Sequence, residues 1–123
     1  LNIIFCTPSE DELTLLLSSC SLFVYPSLAE GFGIPPLEAG VMGRPVLCAC
    51  TTSMLDFENL GFTMFNPYDI DALKKEMLAK LGGDRDSGID LDSIKNNILR
   101  IYNWTKMAGY FIEILENNEN RSN

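Results

Sequence analysis

Glu30-Gly31-Phe32-Gly33-Ile34-Pro35-Pro36-Leu37-Glu38 is the stretch whose chemistry decides how this chain folds. Two acids bracket two glycines and two prolines. Glycine lacks Cβ, so the backbone can adopt positive φ or approach a ligand closely, and proline fixes φ near the helical value while donating no hydrogen bond. Glycine followed by proline is how a loop turns into a helix. The apolar run Leu22-Phe23-Val24-Tyr25 before it reads as a buried strand, and Leu37 to Met42 after it extends a helix starting near Pro36 that Gly43 stops. The order is strand, glycine loop, helix start. In open parallel α/β sheets ligands bind there, beyond the carboxyl ends of strands, where free amides and the positive end of the helix dipole face an anion.

Outward from this segment the pattern alternates. Leu1 to Phe5 reads as a strand, and Ser9-Glu10-Asp11-Glu12 has the form of a capping box ahead of Leu13, Leu16, Leu17 and Cys20 at helical spacing. Pro45 to Ala49 reads as a further buried strand. Strand, helix, strand, helix, strand over the first fifty residues predicts a parallel sheet with right-handed crossovers, hence an α/β fold. Farther on, Phe62 to Phe65 reads as a short strand, Asn66-Pro67 as a turn, and Asp69 to Leu81 as a helix ended by Gly82-Gly83-Asp84. Leu91, Ile94, Ile98 and Ile101 recur at helical spacing, as do Trp104, Met107, Ala108, Phe111 and Leu115 behind Asn103 as N-cap. Trp104 is expected in the core, in register with Met107 and Phe111, while Lys74, Lys75 and Arg85 read as solvated helix charge. Residues 1–116 form the expected domain, and 117–123 a frayed polar tail.

Composition narrows the chemistry. The chain has 123 residues, one domain's worth, and a net charge of −8, which argues against a polyanion as main partner because nucleic-acid affinity rests on Lys and Arg. It has no histidine, which removes imidazole acid/base chemistry, His-ligated metals and a Ser-His-Asp arrangement from this chain. Cys6, Cys20, Cys48 and Cys50 lie in apolar segments and read as buried, reduced thiols of a cytoplasmic protein. No apolar run approaches the roughly 20 residues of a membrane span. No signal peptide is evident, and a chain opening on Leu1 rather than Met reads as a piece of something longer.

The two acids carry the chemical argument. Glu38, placed in the first helical turn, is favoured by the dipole, and Glu30 stands at the strand end on the other side of the loop. Vicinal hydroxyls of a sugar or ribose suit carboxylate acceptors, and the amides of Phe32, Gly33 and Ile34 between them suit an oxyanion. Hydroxyls at both ends of an anion describe a nucleotide sugar. Either acid alone reads as an ordinary solvated group. A glycosidase pair also uses two carboxylates, but the strand-loop-helix setting and the anion site at the helix end argue against it.

Pro26-Ser27-Leu28-Ala29-Glu30-Gly31-Phe32-Gly33-Ile34-Pro35-Pro36-Leu37-Glu38-Ala39, followed by Gly43-Arg44-Pro45-Val46, resembles the E-x7-E signature of retaining glycosyltransferases of family 4. Ser9 to Leu13 and Phe23 to Tyr25 upstream, and Asn66-Pro67, Asp69 and Tyr102-Asn103-Trp104 downstream, match flanking landmarks of that family. The resemblance implies a parallel Rossmann-like sheet with flanking helices, part of the C-terminal, nucleotide-sugar-binding domain of a GT-B fold. It implies transfer of a sugar from a nucleotide-sugar donor to a glycan, lipid or small-molecule acceptor with retention, without metal or other cofactor. By position, Glu30 would be the catalytic-site acid contacting donor-sugar hydroxyls, with Gly31 beside it. The Phe32, Gly33 and Ile34 backbone would meet sugar and diphosphate, Leu37 would line the nucleoside pocket, and Glu38 would bind the ribose hydroxyls. The acceptor domain and the basic diphosphate clamp would lie upstream of Leu1, so this chain would be inactive by itself and the full protein cytoplasmic or peripheral to the inner face of a membrane. A non-catalytic nucleotide-sugar-binding accessory subunit is the alternative. Two departures stand out: Cys6 where the family usually has glycine, which bears on base preference, and Gly40 where the motif helix usually carries methionine or a similar residue.

Overall fold

The computed structural model describes residues 2–82 and 90–119, the side chains of residues 116, 118 and 119 excepted. Leu1, the glycine stop at Gly83-Asp84, Arg85 and the end of the polar tail lie outside the described residues. Three short strands, β1 (Phe23–Tyr25), β2 (Val46–Ala49) and β3 (Thr63–Phe65), form a parallel sheet in sequential order. Phe23 pairs with Val46 and Leu47 with Thr63, which sets the register. All four residues of β2 are buried, as expected of a central strand covered on both faces, and the continuous apolar run Val46-Leu47-Cys48-Ala49 matches that.

Among the described residues five α-helices accompany the sheet: α1 (Glu10–Ser19), α2 (Ile34–Val41), α3 (Ile70–Leu81), α4 (Leu91–Ile101) and α5 (Trp104–Glu119). Their starts follow local chemistry. Ser9 and Glu12 close the capping box reciprocally, and the Asp69, Asp90 and Asn103 side chains accept from backbone amides three residues on. Helix α2 packs against β1 and β2 and also against α1 and α4. Phe57, Leu47, Met54 and Leu60 lie at the centre of the core.

Several expectations are overturned. Residues 2–5 are not a strand, and Ile3, Ile4 and Phe5 are 69%, 84% and 94% exposed. A strand needs a neighbour for its N–H and C=O groups, and among the described residues none flanks this run. Of the apolar positions on α1 only Leu17 is buried, and Leu13 and Leu16 face outward. Trp104 is 90% exposed rather than in the core, and Met107, Phe111 and Leu115 are exposed too, because no described element covers α5. Cys6 is exposed and Cys20 and Cys50 are half-buried, so only Cys48 fits the picture of a buried thiol, while all four are free.

One element escaped the sequence reading. Thr52–Leu60 is a 3-10 helix that buries Met54, Phe57 and Leu60. Their spacing of three is its period, a signal visible in the sequence but weaker than the 3.6 of an α-helix.

Candidate functional site

The loop between β1 and α2 is shaped by Gly33, which takes φ +90 as the N-cap of α2. A Cβ there would stand 3.2 Å from both Met54 Cγ and Phe57 Cε2, so the loop backbone rests directly on the 3-10 helix. That conformation lets α2 begin at Ile34, earlier than the Pro36 expected. Glu38 consequently falls in the second turn, not the first, and gains little from the dipole, whose influence fades within one turn.

The prolines shape the donor set. A helix leaves its first four amides without intrahelical partners, and Pro35 and Pro36 have none to offer, so the free donors concentrate on Gly33 and Ile34, next to Phe32. Among the described residues, none of these three amides donates a hydrogen bond. Aromatic contacts flank them: the Phe32 ring, 43% exposed, meets Tyr102 edge-on at 5.3 Å between centroids and Phe57 at 6.1 Å. Phe32 thus anchors the loop with its side chain while its amide stays free.

Glu30 is held through one carboxylate oxygen and through its backbone. Its Oε1 accepts hydrogen bonds from the Tyr25 hydroxyl at 2.7 Å and the Ser27 hydroxyl at 2.8 Å. These bonds favour the carboxylate and lower its pKa, the Tyr25 bond contributing most. Burial pushes the Tyr25 hydroxyl up to about 12, and the adjacent carboxylate adds to the shift, so Tyr25 stays a neutral donor. The backbone is clipped as well. The Glu30 amide donates to Thr52 Oγ1 at 3.1 Å, Ser53 Oγ donates to the Glu30 carbonyl at 3.1 Å, and Thr51 Oγ1 donates to the Ser27 carbonyl at 3.0 Å. Thr52 does this at φ +46, a left-handed conformation unfavourable for a β-branched residue.

Glu38 is exposed and borders an open apolar groove of about 270 Å³ with Leu37, Val41, Met42, Ile98 and Tyr102. Glu30 is not among the residues lining that groove. Leu37 is buried and Gly31 is exposed in open space. A larger open pocket, about 390 Å³, lies between Cys6, Thr7, Pro8 and the Glu12, Leu15 and Leu16 face of α1. Tyr25, Ser27 and Thr51 to Ser53 were missed as site residues by sequence reasoning. The Tyr-x-Ser spacing at the strand end was a faint signal for the first two, and nothing local marked a clip from residues 22 to 24 positions away. Among the described residues no three His, Cys, Asp or Glu side chains gather as metal ligands, and no helix is long and apolar enough to cross a membrane.

Residues 2–87, well over half of the chain and the whole of this loop, match the family described as glycosyl transferases group 1. The chain belongs to that family. Among similar curated proteins, the serotype-specific mannosyltransferase WbdA of Escherichia coli is 42% identical over 69 residues, 56% of this chain and 8% of that protein. The O-antigen chain mannosyltransferase B of Escherichia coli is 40% identical over 75 residues, 61% of this chain and 20% of its own length. The MMP alpha-(1->4)-mannosyltransferase of Mycolicibacterium hassiacum is 27% identical over 115 residues, 88% of this chain and 27% of that protein. The chain therefore spans only a small part of the length of these relatives. No solved structure matches it. For a group 1 glycosyltransferase the three-stranded parallel sheet with flanking helices is part of a Rossmann-like architecture.

Proposed function

We propose that this chain forms the donor side of a retaining, family 4 type glycosyltransferase of GT-B architecture, and that the donor carries mannose on a nucleoside diphosphate. The observation that carries the reading is the run of three free amides, Phe32, Gly33 and Ile34, in the loop that joins Glu30 to Glu38 along the chain. The amides receive diphosphate oxygens, Glu38 the ribose hydroxyls beside Leu37, and Glu30 a hydroxyl of the sugar. Stabilising charge on the departing diphosphate is the catalytic contribution of such a site, and no nucleophile from this chain is required. Mannose is favoured because the similar proteins named above are mannosyltransferases, and a saccharide acceptor because two of them bear O-antigen or serotype names. No metal is needed in this scheme, and the cytoplasm supplies the donor. Transfer also requires the acceptor to be held in near-attack geometry, which belongs to a longer polypeptide, so the chain by itself binds donor weakly and transfers nothing.

Calorimetry with a panel of nucleotide-activated sugars, mannose forms included, tests this on the chain and on the longest polypeptide containing it. Donor binding is expected, with Glu38→Ala weakening it roughly ten- to a hundredfold, the value of a lost charged hydrogen bond. If no nucleotide sugar binds either form, or if Glu38→Ala binds as wild type does, the reading is wrong.

A further inference from the structure

We infer that Tyr25 and Ser27 are positioning residues that occupy Oε1 of Glu30 and thereby turn Oε2 alone toward the donor sugar. This rests on the proposed donor site. Both hydroxyls donate to the same oxygen, at 2.7 and 2.8 Å, and a carboxylate oxygen has two lone pairs to give. Oε1 is therefore filled. Among the described residues Oε2 accepts no hydrogen bond, so any sugar hydroxyl meeting Glu30 meets it there.

The rest of the surroundings fixes the carboxylate in place. Tyr25 lies in the register of the sheet opposite Cys48 and stacks its ring on Phe23 at 6.1 Å, so its hydroxyl is aimed by the strand rather than by a mobile loop. The Thr52 and Ser53 clip holds the Glu30 backbone from the opposite segment. With side chain and backbone both held, the acid meets the sugar without reorganising, which is what a group stabilising a transition state requires. Among the described residues the titratable group in contact with the Glu30 carboxylate is Tyr25. Thr51, Thr52 and Ser53, at the start of the 3-10 helix, carry no charge, and Asp56 on that helix acts on Tyr102 instead.

Two readouts test the assignment. The first is a carbon-detected NMR titration of the Glu30 carboxyl in wild type, Tyr25→Phe and Ser27→Ala. The wild-type group is expected to titrate below 4.5, its ordinary value, and each substitution to move it upward. Tyr25→Phe keeps the ring stack, and Ser27→Thr, which restores a hydroxyl, controls for folding. The second is transfer by the longest polypeptide containing the chain. In both hydroxyl-deleting variants kcat is expected to fall about tenfold with KM changed less than about threefold, and Ser27→Thr to recover most of the loss. The acid limb of the pH profile is expected to move upward with the titration. An unmoved Glu30 titration, or variants with wild-type kcat and pH profile, overturns the positioning role while leaving the donor site standing. A wild type that uses no nucleotide sugar overturns the donor site and the role of Tyr25 and Ser27 with it.

Discussion

Four glycines sit in four different combinations of backbone strain and crowding, and replacing each by alanine separates the two contributions. Gly31 has neither: its φ is not in the left-handed region and an added Cβ would meet nothing within 4 Å. Gly43 has φ +71 but open space around it. Gly40 has ordinary helical backbone, but a Cβ would come within 2.6 Å of Ile98 Cδ1 and 2.9 Å of the Phe62 ring. Gly33 combines φ +90 with the 3.2 Å approaches to Met54 and Phe57. Left-handed backbone costs an L-residue roughly 1–2 kcal/mol, and overpacking a well-filled core roughly 1–3 kcal/mol. Gly31→Ala is therefore expected to be neutral or to stabilise by up to about 1 kcal/mol through the unfolded chain. Gly43→Ala is expected to cost about 1–2 kcal/mol. Gly40→Ala loses to crowding but recovers about 1 kcal/mol of helix propensity, for a net cost of up to about 2 kcal/mol. Gly33→Ala should cost about 2–5 kcal/mol, the sum of both effects. Urea unfolding of the four variants measures this directly. At a slope of about 2 kcal/mol per M, the Gly33 variant should lose at least about 1 M in its midpoint. A Gly33→Ala loss no larger than that of Gly43→Ala would show that the loop does not rest on the 3-10 helix, and the account of how the site is shaped would fail.

Phe57→Ala is expected to cost about 3–5 kcal/mol, because the side chain is 1% exposed and touches Phe32, Phe62 and Tyr102; a loss under about 1 kcal/mol in urea unfolding refutes the aromatic anchor of the loop. A maleimide reagent should modify Cys6 in the folded protein and Cys48 only on unfolding, since Cys6 is exposed while burial pushes the Cys48 thiol up to about 11. Mass spectrometry showing equal native rates at the two positions would contradict this. Glu12 accepts the Ser9 amide and hydroxyl, the amide bond being the larger cause of its lowered pKa. Its folded pKa lies below its ordinary 4.5, so the stability it adds is present above pH 4.5 and is lost as pH falls through the folded value. The stability gap between wild type and Glu12→Gln should accordingly close in acid, and a gap constant from about pH 7 to about pH 2 rules the capping interaction out as its source.

What the sequence by itself determined here is local. The strand, glycine loop and helix around Glu30 to Glu38, the Ser9 to Glu12 capping box, the Asp69 helix start and the Asn103 cap all follow from residues a few positions apart, because cap hydrogen bonds and turn dihedrals are settled within one turn of chain. What only the tertiary structure decided is what those elements touch. Helical spacing identifies an apolar face on α1 and α5 but not whether anything covers it, so Leu13 and Leu16 stand exposed, and Trp104, which reads as core, is exposed too. Gly40 looks like a weak helix residue until Ile98 and Phe62 arrive where its side chain would be. The candidate site divides the same way: the acids and the free amides are legible in nine residues, whereas the grip on the Glu30 backbone comes from residues more than twenty positions away. Chain entropy lets such distant groups meet only when the packing of the whole sheet brings β1 and the segment after β2 side by side, and no local propensity records that.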